Sequence, residues 1–353
     1  MKLIEKVFFI FFLICVFSKI TNAQHQVVEL YDDSWEYIRV GKSLYLLEAN
    51  NGNYDFETIL KDSALFKPSS LDAPNFGTTK TTVWGMLDIN LHSKNPWFLE
   101  IDAPWLDTFM VYYPKNGAYK AKFLGRRLPI QNQERRTPDI IYKISPEDFP
   151  SDTVLRFYFR ANGRVVVLPA FIGTTDAVIR QQFYKVLFYF FYCGIVLMLV
   201  IFYFAVFITT GKKENLYYTL WVLSTTYYFA VTKGFLRLVL PESLQFLIYH
   251  SVEPTAVAGF MLLLFTSNSL HINEVLPSFK KWFRILMVCM CLIVFLCFIG
   301  QDQLALQIFE PLMLVTMAFS LVAGIMVYRK GNNYAIYYTL AFAQTLLNVG
   351  IYI

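Results

Sequence analysis

Cysteine is missing from the whole stretch between Gln24 and Arg180, although the chain holds Cys15, Cys193, Cys289, Cys291 and Cys297 elsewhere. That stretch has no disulfides and must be held by its own core, which about 150 residues can build. Charge is also scarce. Of 353 residues 16% are charged, against about 25% in ordinary globular chains, while 56% are hydrophobic and 18% aromatic. Such a balance excludes an ordinary soluble domain and points to the membrane. The histidines, His25, His92, His250 and His271, are scattered, and neither a phosphate loop nor a nucleophile motif occurs. Cys289 and Cys291 read as small apolar residues, because no further metal-ligating partners lie near them. No cofactor and no metal are expected.

Lys2 and Lys6 border a basic start, "VFFIFFLICVF" is a short apolar core, and Thr21-Asn22-Ala23 precedes a cut at Gln24. Residues 1–23 therefore read as a cleaved signal peptide. An uncleaved anchor is the alternative, but the run falls short of the ~20 residues a span needs. From 24 to 176, short apolar and polar stretches alternate between frequent turns, as in "TTVWGMLDINL", "PWFLEIDA" and "TVLRFYFRANGRVVVLPAFI". These read as strands, and "FMVYYPKNGAYKAKF" as a hairpin around Asn116-Gly117, a pair suited to positive φ angles. Many strands without intervening helices predict a β-sandwich. Its charges nearly cancel, so nothing points to nucleic acid.

After Arg180 long apolar segments take over, near 183–210, 215–238, 244–270, 283–300, 304–328 and 334–353, and predict an all-α transmembrane bundle. Lys212, Lys213, Lys280, Lys281, Arg284, Arg329 and Lys330 all fall in the first, third and fifth loops. Those loops are expected in the cytoplasm and the β domain outside. The signal peptide demands the same arrangement independently. The expected setting is the bacterial inner membrane.

The stretch "ENLYYTLWVLSTTYYFAVTKGFLRLVLP", with its paired tyrosines, Leu220-Trp221 and Gly234, resembles the second helix of a known family. So do "LLLFTSNSLHINEVLPSFKKWFRIL" and "VYRKGNNYAIYYTLAFAQTLLNVGIYI" at its third-to-fourth and fifth-to-sixth helices. The family is the bacterial seven-transmembrane receptors with diverse intracellular signalling modules. In the exterior half, "NFGTTKTTVWGMLDINL" and "PWFLEIDAPWLDTFMVYYPKNGAY" resemble its type 2 extracellular domain, which implies a jelly-roll fold related to carbohydrate-binding modules. One departure is Trp84-Gly85-Met86 where members typically carry Trp-Leu-Arg, so a basic contact is missing there. The resemblance implies a seventh helix and a cytoplasmic output module, such as a histidine kinase or nucleotide cyclase. The chain is expected to be cut before both.

No enzyme constellation is found. Glu100 and Asp102 fall on one face of a strand as near neighbours, which reads as a solvated face and not as an acid pair across a cleft. Trp84, Trp97, Trp105 and Tyr112 are candidates for a ligand surface, since aromatic faces stack on sugar rings while polar neighbours bond hydroxyls. Arg135 and Arg136 are placed at its rim. Core packing and an exposed basic loop are the competing readings. In the membrane half, Glu253-Pro254 and Glu310-Pro311 put costly carboxylates in the outer half of the bilayer beside prolines expected to kink their helices. His250 lies one turn from Glu253, and Lys233 and Arg237 are candidate counter-charges. Together they predict a polar outward-facing cavity, or else buried charge pairing without a ligand.

The leading reading is a sensory input module that binds a carbohydrate or related small ligand outside and shifts a helix bundle inside. The expected partners are the bilayer, that ligand and an intracellular signalling module; a homodimer stays open. The competing reading is a transport or envelope-assembly component with a substrate-capturing β domain.

Overall fold

The computed structural model of the protein describes residues 26–32, 37–49, 54–79, 81–115, 117–133, 135–149 and 153–352. The expected signal peptide, and Asn116 of the expected hairpin turn, lie outside the described residues.

In chain order the strands are β1 (Val28–Leu30), β2 (Tyr37–Arg39), β3 (Tyr45–Ala49), β4 (Lys67–Pro68), β5 (Asn75–Thr78), β6 (Thr82–Leu91), β7 (Trp97–Ile101), β8 (Thr108–Lys115), β9 (Ala118–Leu124), β10 (Ile140–Ile144), β11 (Val154–Asn162), β12 (Val165–Val167) and β13 (Ala170–Thr174). The larger sheet runs β4-β3-β6-β11-β8-β9 and the second β10-β7-β13-β2, with β12 and β5 as a separate pair. The long β6 takes β11 along one edge and, along the other, first antiparallel β3 and then parallel β1. The expected hairpin is present, since Lys115 pairs with Ala118 across the two-residue loop.

Period-2 alternation explains how the sheets meet. Phe109 and Val111 on β8 and Leu155, Phe157 and Phe159 on β11 turn inward, against Trp97, Leu99 and Ile101 of β7. Gly85 is required at this interface, because a Cβ there would lie 1.9 Å from Cζ of Phe159, whose ring crosses the gap. The opposite face of β7 is covered as well, with Phe98 packing on Val178 of the first long helix.

A short helix, α1 (Phe56–Lys61), lies between β3 and β4. The helical half comprises α2 (Thr175–Thr210), α3 (Lys213–Thr232), α4 (Phe235–Val239), a 3-10 helix (Glu242–Tyr249), α5 (Val252–Ser269), α6 (Ile272–Val275), α7 (Pro277–Phe298), α8 (Asp302–Arg329) and α9 (Ala335–Tyr352). Each apolar segment read from the sequence is thus helical over most of its described residues. The second is interrupted at Gly234, and the third bends by 63° between the 3-10 helix and α5. The helices α2, α7 and α8 are each long and apolar enough to cross a bilayer, and the bent pair makes a fourth if it is counted as one span. The molecule is a multidomain membrane protein with an all-β domain ahead of a helical one.

Thr174 is both the last residue of β13 and the N-cap of α2, its hydroxyl accepting from the Ala177 amide at 3.4 Å. No linker separates sheet from helix. With 36 residues α2 is about 54 Å long, well over the ~30 Å hydrocarbon core, so its first turns stand clear of the bilayer against the β domain. The basic loops near 212, 280 and 330 lie at the far ends of these helices, away from that domain.

Candidate functional site

Polar contacts join the domains, and among the described residues two groups of them stand out. The first is on α2, where Gln182 and Lys185 are three residues apart and so share a face. Lys185 Nζ lies 2.9 Å from Glu100 Oε1, 2.7 Å from Asp139 Oδ2 and 3.1 Å from Asp102 Oδ2. Gln182 donates to the same oxygens of Glu100 and Asp139, at 3.0 and 2.6 Å. The solvated strand face read from the sequence is corrected here. Glu100 is 0% exposed, because α2 lies over that face of β7 and supplies the cation. Burial, and then the charge of Asp102, push the Asp139 carboxyl up to about 8, against the pull of Lys185.

The second contact is a cavity of about 380 Å³ where loops of the β domain sit on the outer ends of the helices. The β domain contributes Trp105, Arg126 and Arg164; the helices contribute Tyr228, Lys233 and Glu310, with the hydroxyls of Thr232, Ser251 and Thr255. Arg126 is held by Asp107 at 2.5 Å and donates to the Ile248 carbonyl at 3.2 Å. Arg164 reaches Asp302 at 2.6 Å and the Tyr249 carbonyl at 3.1 Å. Both arginines thus fasten strand-end loops to the 3-10 helix and to the start of α8. Gly234 permits the same approach, since its φ of 69° is left-handed and a Cβ would lie 2.7 Å from Pro104 Cβ.

The candidate residues read from the sequence divide. Lys233, Glu310 and Trp105 line this cavity. Glu253 is not among the residues that line it and is bonded to His250 Nδ1 at 2.8 Å. Arg237 is corrected: it is no counter-charge to either glutamate, because its guanidinium turns into the β domain and donates to the Gly125 and Leu128 carbonyls. Among the described residues no ion pair joins Lys233 to Glu253 or Glu310. The expected kink at Pro254 is also corrected. Pro254 stands at the third residue of α5, where its missing amide costs nothing, and the bend precedes it. Pro311 lies inside α8, which continues unbroken through it.

Of the aromatic candidates, Trp97 fills the core between the sheets and Trp84 a second cluster on the outer face of the larger one, so neither is open to a ligand in this structure. Tyr112 is half-buried beneath Phe56. Arg135 and Arg136 line a separate cavity of about 400 Å³ beside the first turns of α2, with Arg135 4.7 Å from the centre of the Phe98 ring. The sequence reading missed Glu100 and Asp139 as buried groups, and Gln182, Lys185, Arg126 and Arg164 altogether. Only the pair Gln182 and Lys185, polar residues entering an apolar helix, left a signal.

Glu253, Cys297 and Asp302 bring one potential metal-ligand atom each within 4.8 Å of one another. Arg164 already occupies the Asp302 carboxylate and would compete with an ion there.

Two family models match the chain. One, described as 7TMR-DISM extracellular 2, covers residues 41–171. The other, described as 7TM diverse intracellular signalling, covers residues 185–353. No curated protein matches it.

Proposed function

The chain belongs to the seven-transmembrane receptors with diverse intracellular signalling modules, a family of transmembrane sensory receptors, and on that premise we propose how it senses. The β domain, outside the bacterial inner membrane, takes up a carbohydrate or related small ligand. The junction passes binding to the helices, and these act on an intracellular signalling module. The chain itself does no chemistry in this reading.

One observation carries the proposal: the junction cavity has walls from both domains, and the last strand runs into α2 without a linker. A ligand that favours one packing of β domain on helices therefore biases the bundle, and coupling needs nothing more than that difference in affinity. Glu253 and Glu310 belong to this mechanism as charged groups at the moving interface, where ionisable side chains are costly unless they serve it.

The test is amide exchange on the intact detergent-solubilised chain, with saccharides first selected on a glycan array. A bound saccharide is expected to change protection around residues 182–185 and 249–253. Binding without any change there would remove the coupling role, and an array with no hits would remove the ligand class. The transport reading draws on the bend at Ser251, a broken span beside a polar cavity. Among the described residues it has no counterpart in a second repeat, so the receptor reading is preferred.

A further inference from the structure

We propose that the outer face of the larger sheet is a saccharide-stacking platform that the protein keeps covered with its own Phe56. The proposal rests on the carbohydrate reading above and names the site for it.

The platform is built by register. Trp84 on β6, Tyr158 on β11, Tyr112 on β8 and Tyr119 on β9 come from four neighbouring strands, and Tyr158 stands directly opposite Tyr112. All four gather on the face away from the core between the sheets. Arg160, paired with Trp84 in register, lies 5.8 Å from the centre of its ring. Aromatic faces beside a guanidinium and phenol hydroxyls are what a pyranose needs: apolar C–H groups stack, and hydroxyls are bonded at the edge.

Phe56 occupies the centre of this surface. Its ring lies over Tyr112 with centroids 4.0 Å apart and planes within 9°. It meets Tyr119 and Tyr158 edge-on, at 5.3 and 5.7 Å. Aromatic pairs usually settle offset or edge-to-face at about 4.5–7 Å, so a flat ring this close to Tyr112 sits as a bound sugar ring would. The element that delivers it is slight. The helix α1 has six residues, is capped by Asp55 through Thr58, and belongs to neither sheet. Its inward contacts are Phe56 and Ile59. In the same cluster, the indole N–H of Trp84 is buried without an acceptor. An unmet buried donor costs about 1–3 kcal/mol, and a ligand hydroxyl within its reach would satisfy it.

An internal ring competing with the ligand lowers apparent affinity by the fraction of molecules in which the platform is free. Removing the ring should therefore strengthen binding, which a merely structural phenylalanine would not do. The experiment measures saccharide binding by the intact solubilised chain, on a glycan array and then by calorimetry, for the wild type, Phe56→Ala, Phe56→Leu and Tyr112→Ala. Phe56→Leu keeps the site apolar and guards against loss of folding in the alanine variant. Both Phe56 variants are expected to bind about tenfold tighter or more, and Tyr112→Ala to lose binding. Saccharide binding that is unchanged or weaker in both Phe56 variants would overturn the covered platform and leave the carbohydrate reading standing. No saccharide binding by any of the four proteins would overturn both.

Discussion

Lys185 Nζ, almost three turns into the first membrane helix, lies 2.7 Å from Asp139 Oδ2 of the β domain, a carboxylate sealed from water. The contact ties the rigid sheet to the helix that follows it, since Asp139 stands just before β10 and Glu100 lies in β7, the strand beside it. Any tilt of α2 relative to the sheet must strain or break this group.

Lys185→Met removes the cation and leaves buried carboxylates facing one another. Breaking a buried pair costs about 3–5 kcal/mol, and a value near the lower end is expected because Lys185 is 25% exposed. A melting curve of the purified chain measures it. Adding Glu100→Gln and Asp139→Asn to Lys185→Met should recover much of the loss, whereas no recovery would mean that Lys185 acts through packing.

The same group makes stability depend on pH. Asp139 has an ordinary value of 3.8, which burial in the folded protein pushes up to about 8. Across that window the folded state carries the extra proton, so stability is full below the lower value and falls as pH rises toward the upper one. The melting temperature is expected to drop between about pH 5 and pH 8, and Asp139→Asn to flatten the slope. A variant with the wild-type profile would exclude Asp139 as the titrating group.

Gly85→Ala should destabilise the β domain by about 1–3 kcal/mol or more, as overpacking does. Phe159→Leu should relieve the clash in the double variant, because the ring of Phe159 fills the space that the glycine leaves. If the double variant melted no higher than Gly85→Ala alone, the two positions would be independent.

Arg164 and Asp302 are both partly exposed, 24% and 32%, and their pair crosses the domain boundary. A double-mutant cycle with Arg164→Met and Asp302→Asn should give a coupling of about 0.5–1 kcal/mol. Its second readout is exchange at the start of α8, which should quicken in either single variant. Unchanged exchange would show that the pair does not hold the junction.

Much of this was legible beforehand from local pattern. The period-2 runs around Trp84 and Tyr158 announce strands, the apolar segments after Arg180 announce helices, and Asn116-Gly117 announces its turn. Lys233, Glu310 and Trp105 are legible as candidates because charge in an apolar helix and an aromatic beside a turn stand out in one dimension. Glu100 was misread for the same reason: alternation gives the face of a strand but not what lies over it. The linear chain thus sets the two domains and the segments that enter the membrane, since hydrophobic period and length act within a few residues. Packing alone settles that α2 covers Glu100, that Arg237 turns into the β domain, and that Phe56 lies on Tyr112, because these contacts join residues far apart in the chain and depend on where whole elements come to rest.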